Sequence, residues 1–471
     1  MIEKICHNLS SKSLIVKSAI FWTLDRLFFH VVSSSNIFWT IIITMKFTVT
    51  SVAKSSARFG LLTELQRIPE AAFETPLLLL HTRGASVPHL SYDLLQMVTN
   101  EHHLLQMPLV SLIEHSKNIK AFGKGIAEFA GLKEYLNYAT VQDPGTATPV
   151  GYHDKNSVSL WTRGGRKLLD PQTYISCMET LKPDLFQAMV DTDTNPSSSF
   201  KRVKRSVDDT VKFLRACNQL KRNSEELRET PMLACITGGY NVKERLRCIA
   251  EMQDITEVAG FVIEGFHMNG ESAAKLNWDE VDPVLTATVN SLPKELPRIF
   301  HGAISPIILL KLVSRGIDIF DSTFPWMAAE RGGALMFPNS LQWKESDTIT
   351  ETLPDIKPVI ASIPDEKDGK PDENEETVDR VYEIDLRDKT FFSDKRPLVE
   401  GCSCYSCGKY SRSYIHHLVK TSELQGPMLL MMHNLYHYIQ FFHCIRSAVK
   451  ENQLEALQSK LEDFVSRRRK S

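Results

Sequence analysis

The segment GCSCYSCGKYSRSYIHHLVKTSELQGPMLLMMH, Gly401 to His433, decides how this chain is read. It gathers three of the nine cysteines, Cys402, Cys404 and Cys407, into one C-x-C-x2-C window. Thiols that close cannot pair sensibly with one another, but their thiolates can point into one tetrahedron around Zn²⁺, which asks for a fourth nitrogen or sulfur ligand and no redox partner. Four histidines can supply it. His433 lies in the periodic run Leu424, Met428, Leu429, Met432, Leu435, Ile439, Phe442, which reads as an amphipathic helix. His437 follows one turn later on the same face, and His416 and His417 belong to a short helix before it. Spacing leaves all four open. The competing reading, ordinary buried thiols and core histidines, gives no reason for the tight clustering. A closed set of four protein ligands would make the site structural.

The whole chain has 471 residues and a formal net charge of −2, enough for one large domain or two medium ones and without general affinity for polyanions. Nine cysteines with no evenly spaced framework suit a reducing compartment. Near the start, FWTLDRLFFHVV and NIFWTIIITM form apolar tracts of about 10–15 residues, short of the ~20 that span a bilayer. No small-residue cleavage site follows them, which argues against a signal peptide. Residues 1–44 are therefore read as an extension outside the fold, with a weak peripheral membrane contact as the alternative, and Met45 as the start of the domain.

Short apolar runs ending in polar or glycine residues recur along the chain: TPLLLLHTRG from Thr75, LFQAMVDTD from Leu185, PMLACITGG from Pro231, GFVIEGF from Gly260, PRIFHGAI from Pro297 and GIDIFDSTFP from Gly316. Helical patterns lie between them, at Asp208–Leu220, Val242–Met252 and Pro306–Ser314. Strands alternating with helices imply a parallel sheet with right-handed crossovers. Pattern alone does not decide between an open and a closed sheet, although the lack of G-x-G-x-x-G after an early strand weakens a dinucleotide-binding reading. A closed barrel would place Asp191, Thr237 to Gly239, Glu264, Gly265 and Asp321 on one rim. From 338 to 396 the composition shifts. PDEKDGKPDENEETVDR is charged and nearly free of aromatics, and reads as a solvated, flexible insertion, with an acidic docking element as the alternative. VYEIDLRD then resumes a strand-like alternation, and Leu454, Leu457, Leu461, Phe464 and Val465 mark a last amphipathic helix whose basic end, Arg467 to Lys470, complements its dipole.

The run C-x-C-x2-C, then 25 residues, then His, with YSRSYIHHL and LLMMHNLYHY around it, resembles the zinc subdomain of the tRNA-guanine (queuine) transglycosylases. The resemblance implies that Cys402, Cys404, Cys407 and His433 hold one structural Zn²⁺. It also implies an α/β fold: a TIM-like (β/α)8 barrel over residues 45–337, the acidic insertion over 338–396, and a zinc-binding subdomain with C-terminal helices over 397–471. Retaining exchange at an N-glycosidic bond needs a carboxylate nucleophile and acid/base help for the two bases. Asp321 occupies the family's nucleophile position, although an aspartate at a strand end also caps the turn that follows.

Other family features are altered. The Asp-Ser-Gly-Gly segment of catalytic members is absent from Lys124–Pro144. Asp191 falls where the family binds the exchanged base, but the family's glutamine is Thr237, and its glycine pair in the next strand reads Glu264, Gly265 and Phe266. Catalytic members carry Pro-Thr-Arg and a second arginine three residues on, which hold the anticodon loop. This chain has Pro325, Trp326, Met327 and Glu330 there, with Arg331 one position out of register.

A kept scaffold with a lost active site, together with MKFTVTSV, FKRVKRSVDDTVKFL and FDSTFPWMAAERGGALMF, resembles the accessory, non-catalytic branch of the family. This implies a heterodimer with a catalytic homologue, in which the pair replaces guanine by queuine at the wobble position of tRNAs for Asp, Asn, His and Tyr. It also implies that this chain holds no catalytic residue, that Asp191, Thr237 and Gly265 are pocket equivalents, and that the zinc subdomain lies at the interface. The implied location is cytoplasmic, peripheral to the mitochondrial outer membrane. Two alternatives stay open: a self-sufficient transglycosylase using Asp321 as nucleophile, and a zinc-stabilised tRNA-binding module. Lys201, Arg202, Lys204 and Arg205 are either a tRNA-backbone contact or a solvated helix face.

Overall fold

The computed structural model describes residues 45–343, apart from 153 and 256, and residues 380–470. The N-terminal extension, with its membrane reading, and the acidic stretch 364–379 lie outside the described residues. Eight parallel strands close into a barrel: β4 (Leu77–His81), β5 (Leu104–Pro108), β6 (Leu136–Thr140), β9 (Leu185–Gln187), β10 (Met232–Ile236), β11 (Phe261–Ile263), β12 (Arg298–Ile299) and β13 (Ile319–Asp321). They neighbour one another in chain order, and β13 pairs back to β4 in the register Ile319–Leu77, Phe320–Leu78, Asp321–Leu79. Before the barrel, β1 (Lys46–Val52), β2 (Arg58–Thr63) and β3 (Phe73–Thr75) form an antiparallel sheet, and β7 (Val158–Thr162) and β8 (Gly165–Leu169) form a hairpin between β6 and β9.

Period-two alternation sorts each barrel strand's side chains. Leu77, Leu79, Leu104, Leu136, Leu185, Leu233, Val262, Ile299 and Ile319 form the lumen cluster, which also takes in Leu62, Leu65 and Phe73 from the antiparallel sheet below. The intervening positions, Leu78, Leu80, Leu105, Ala139, Phe186, Ala234, Phe300 and Phe320, face the helices. Six of the eight strands coincide with runs visible in the sequence. β5 and β6 do not, because Gln106, Asn137 and Thr140 interrupt runs already only five residues long. The helix anticipated over Asp208–Leu220 spans Phe200–Asn223; Ser199 caps it, its Oγ accepting from Arg202 N at 3.3 Å, and its basic first turn hides the apolar stripe begun by Val203 and Val207.

After β13 and the short Thr323–Glu330 helix, β14 (Gly333–Leu335) pairs antiparallel with β15 (Glu383–Asp385). Within the range 338–396, VYEIDLRD forms the strand that its alternation suggests, and a 3₁₀ turn, Lys389–Ser393, follows, then Asp394, which bridges Arg396 and the buried Arg412. Helices follow at Tyr405–Lys409, Arg412–Lys420, Gln425–Lys450 and Leu454–Arg468. Gln425–Lys450 packs on β4 and on the Tyr92–Val98 helix, with Phe442 against Phe320 of β13, while Leu454–Arg468 packs on Pro306–Ser314. The cysteine-bearing segment is therefore inserted between the last barrel strand and the helices that cover it.

Candidate metal centre and barrel mouth

Cys404 caps the short Tyr405–Lys409 helix, its Sγ accepting from Cys407 N at 3.3 Å, and this turn brings the three sulfurs to one side. His433 comes from the middle of the Gln425–Lys450 helix and is fully buried. Its Nδ1 lies 3.8 Å from Cys402 Sγ and 3.4 Å from the sulfurs of both Cys404 and Cys407. All four ligand atoms lie within 4.8 Å of one another, an arrangement that can hold a metal ion. Nε2 of His433 stands 2.9 Å from Leu335 O; a carbonyl only accepts, so Nε2 carries the proton and Nδ1 offers its lone pair to the sulfur side. Burial opposes charge on this imidazole, while the Cys404 and Cys402 sulfurs favour it and raise its pKa. Three thiolates and one imidazole are a soft, closed donor set suited to Zn²⁺.

The other three histidines point elsewhere. His437 packs edge-on against Phe337 with centroids 4.6 Å apart, His416 meets Leu386 O at 2.7 Å, and His417 is exposed. Next to His433, Asn434 ties the helix to the barrel. Its Oδ1 accepts from Leu335 N at 2.8 Å, and its Nδ2 donates to Gly333 O and Pro325 O at 3.0 and 3.2 Å.

At the C-terminal end of the barrel the lumen turns polar. His81, Gln106, Gln187, Glu264, His301 and Asp321 occupy the next inward positions beyond the apolar lumen cluster. Gln187 Nε2 donates to Glu264 Oε1 at 3.3 Å, His301 Nδ1 stands 3.5 Å from the same oxygen, and the Tyr138 hydroxyl donates to Gln187 at 3.4 Å. Both oxygens of Asp321 are taken by backbone amides, Oδ2 by Gly302 N at 2.8 Å and Oδ1 by Thr323 N at 2.9 Å.

Asp191 and Thr237 do not join this layer. The Asp191 carboxylate pairs with Arg202, which also donates to Asp193 O at 2.8 Å, and Thr237 Oγ1 lies 3.4 Å from Thr210 Oγ1 on the Phe200–Asn223 helix. Gly265 has φ +80°, and a Cβ there would fall 2.7 Å from Thr194 Oγ1, so the site admits only glycine. Arg245, fully buried, donates to the carbonyls of Gly239, Ile236 and Glu264, with its guanidinium 3.7 Å above the Phe266 ring. Burial pulls its pKa down to about 9.

Above this layer the mouth is bridged. Thr148 N donates to Met268 O at 2.8 Å and Gly270 N to Pro144 O at 2.9 Å, joining the loops after β6 and β11. Trp326 lies against Gly145, where a Cβ would come within 2.1 Å of its ring. That ring lies 5.2 Å from the His81 ring, tilted by 31°, and its Nε1 donates to Glu330 Oε1 at 2.9 Å.

The profile of the family described as "Queuine tRNA-ribosyltransferase" matches residues 53–467. The chain belongs to the queuine tRNA-ribosyltransferase family. It is 35% identical to a Drosophila mojavensis protein over 425 residues, 90% of this chain and 92% of that one. It is 37% identical to a Xenopus tropicalis protein over 418 residues, covering 88% and 98%, and 34% identical to an Aedes aegypti protein over 414 residues, covering 88% and 91%. Each of the three is named "Queuine tRNA-ribosyltransferase accessory subunit 2".

For a chain of the queuine tRNA-ribosyltransferase family, the residues that fill the mouth matter most; the sequence reading named Arg202, Trp326 and Arg331 without their internal partners and did not single out Arg245. Arg202 and Arg245 put positive charge where the sequence suggests a base pocket, yet both are consumed internally. Arg331, the arginine one position out of register, is bound in a two-pronged pair with Glu383, Nε to Oε1 at 2.9 Å and Nη2 to Oε2 at 2.8 Å. The inward positions at the ends of the strands were the available signal for the polar layer; nothing in the sequence signals the bridge between the two loops.

Proposed function

We propose that this chain is the accessory, non-catalytic subunit of a queuine tRNA-ribosyltransferase. It pairs with a catalytic homologue, and the pair exchanges guanine for queuine at the wobble position of tRNAs for Asp, Asn, His and Tyr. The observation that carries the reading is a family barrel whose mouth is closed by its own side chains, with Asp191 neutralised by Arg202 and Trp326 lying over His81. Asp191, Thr237 and Gly265 then stand at the positions of a substrate pocket without serving one, and Asp321 acts as a turn cap. Cys402, Cys404, Cys407 and His433 hold one Zn²⁺ that fixes the subdomain. The complex is placed in the cytoplasm, peripheral to the mitochondrial outer membrane; no helix among the described residues is long and apolar enough to cross a membrane.

The partner surface lies on the metal subdomain. Tyr405, Tyr410 and Tyr414 form a ring ladder with centroids 6.1 and 5.4 Å apart, and Tyr414 reaches Gln425, next to the 88% exposed Leu424. Ser413 holds the backbone of Phe392, itself 76% exposed. Such contiguous apolar exposure marks an interaction site.

The test measures mass and base exchange for the chain alone, the catalytic subunit alone, and the mixture. Exchange that rises only in the mixture, together with a one-to-one complex, supports the proposal. Phe392→Asp should abolish the complex without lowering the thermal midpoint. Exchange by this chain alone, with a covalent tRNA adduct lost in Asp321→Asn, would instead establish the self-sufficient enzyme. tRNA binding by this chain with no effect on partner activity would leave only the binding module.

A further inference from the structure

A cavity of about 300 Å³ opens at the opposite end of the barrel from the mouth, between the antiparallel sheet, the loop that leads into β5 and the Gln425–Lys450 helix. That end of a barrel ordinarily serves stability, and ligand sites form at the other. This cavity nonetheless has the size and make-up of a small-molecule site: a buried apolar floor of Phe73, Leu77, Ile439 and Phe442, under a polar rim that includes His103 and Arg446. None of the metal-binding residues and none of the mouth residues line it.

The two acids of the rim are held by neighbours. Glu101 pairs with His443, whose Nε2 stands 2.9 Å from Oε1 and 3.1 Å from Oε2. Glu74 Oε1 accepts from Lys450 Nζ at 3.2 Å. Arg446 is less well served. Its side chain is only 14% exposed, yet Glu74 Oε2 stands 3.6 Å away, from Nε; Nη1 donates to Pro76 O at 3.2 Å, and Nη2 makes no hydrogen bond among the described residues. Burial pulls its pKa down, and the charges of Glu101 and Glu74 offset this only in part. His103, itself buried, leaves a second group unmatched. Thr99 Oγ1 accepts from Glu101 N at 3.1 Å and turns its own hydrogen to His103 Nε2 at 3.0 Å, so the ring proton sits on Nδ1, which has no partner among the described residues. A desolvated guanidinium without a two-pronged acid and a buried N–H without an acceptor both ask for an oxyanion, and the floor beside them asks for an apolar body.

We propose that this cavity binds a small carboxylate with an apolar body, an aryl or branched-alkyl acid, whose carboxylate takes the fork of Arg446 and the N–H of His103 and whose body lies on Phe73 and Phe442. Glu74 keeps Lys450 when the ligand displaces its long contact with Arg446. The site belongs to this chain alone and goes beyond the accessory role, so neither reading stands or falls with the other.

The experiment is calorimetric titration of the full-length chain with phenylacetate, phenylacetamide and phenethylamine, which share one body and differ in the polar end, for wild type, Arg446→Met and Arg446→Lys. Phenylacetate should bind wild type about tenfold or more tighter than the amide, with no binding of the amine; Arg446→Met should remove that preference, and Arg446→Lys should recover part of it, since it restores charge without the fork. Arg446→Met also gives up the bond to Pro76 O, so hydrogen exchange of the wild-type chain locates the site independently, and the wild-type arms decide even where a variant fails to fold. Phenylacetate should raise protection over 99–105 and 439–447 and leave the cysteine turn, 401–411, as it was. Amide or amine bound as tightly as the acid, no binding of the acid at millimolar concentration, wild-type acid affinity in folded Arg446→Met, or protection confined to another part of the chain overturns the proposal.

Discussion

Removing the metal should release the cysteine turn while leaving the long helix in place. Of the ten residues from Gly401 to Tyr410, only Cys404 and Ser406 are buried. Ordering that stretch costs roughly 10–20 kcal/mol of backbone freedom at ~1–2 kcal/mol per residue, which so little buried surface does not offset. Closed zinc coordination, about 10–16 kcal/mol in small structural sites, is of the required size. The Gln425–Lys450 helix is different, because it buries Leu429 to Leu435 and Tyr438 to Phe442 almost without interruption and is tied to β14 through Asn434. The clean perturbation is Cys407→Ser, a one-atom change at a half-buried position, with chelation of the wild type in parallel. Hydrogen exchange read by mass spectrometry should show amides 401–411 losing nearly all protection, with those of 430–445 unchanged. The complex with the catalytic subunit should weaken, since the Tyr405–Tyr410–Tyr414 ladder rests on this turn. Wild-type protection at 401–411 in both the variant and the chelated protein would refute the reasoning, because the turn would then be held by packing alone.

Asp321→Asn leaves one amide nitrogen facing a backbone N–H, at Gly302 or Thr323, and should cost about 1–3 kcal/mol in denaturant melts while exchange by the complex stays within about twofold; a large loss of exchange at unchanged stability would make Asp321 catalytic. Arg331→Ala leaves the buried Glu383 carboxylate only the longer contact with Arg380, at 3.9 Å, and should destabilise by about 3 kcal/mol, yet leave tRNA affinity of the complex unaltered. An affinity loss without destabilisation would return Arg331 to the anticodon. Burial holds His103 neutral with a pKa lowered from 6.5 to about 4, so the unfolded chain takes up its proton first. Its contribution is complete above about pH 6.5 and is lost as pH falls toward 4, by about 3 kcal/mol in all. His103→Gln should flatten the stability–pH curve over that window, and an unchanged curve would count against the assignment.

The apolar runs ending at Asp321, Thr237 and Glu264 announced parallel strands because buried strands need uninterrupted apolar side chains, and six of eight barrel strands were legible in this way. β5 and β6 were not, since Gln106, Asn137 and Thr140 stand where the pattern expects apolar residues, and their burial makes sense only once the barrel closes around them. The polar layer was half visible as strand-end residues. Its membership depends on parity, and parity depends on register, which hydrogen bonding between strands decides.

The sequence by itself determined the cysteine cluster and its histidine-bearing helix, because a C-x-C-x2-C turn has few other physical uses, and it determined the α/β class through strand–helix alternation. Spacing left four histidines open and the family resemblance implied His433; the physical reason for it is tertiary, Leu335 O holding Nε2 of His433 across 98 positions of chain. Only the tertiary structure decided that the mouth is shut, because the loops after β6 and β11, the Trp326 plug and the Arg202–Asp191 pair join residues that lie far apart in sequence or depend on a side chain's direction. Local pattern reports what a segment tends to become; which side chains fill a shared space is settled when the barrel closes.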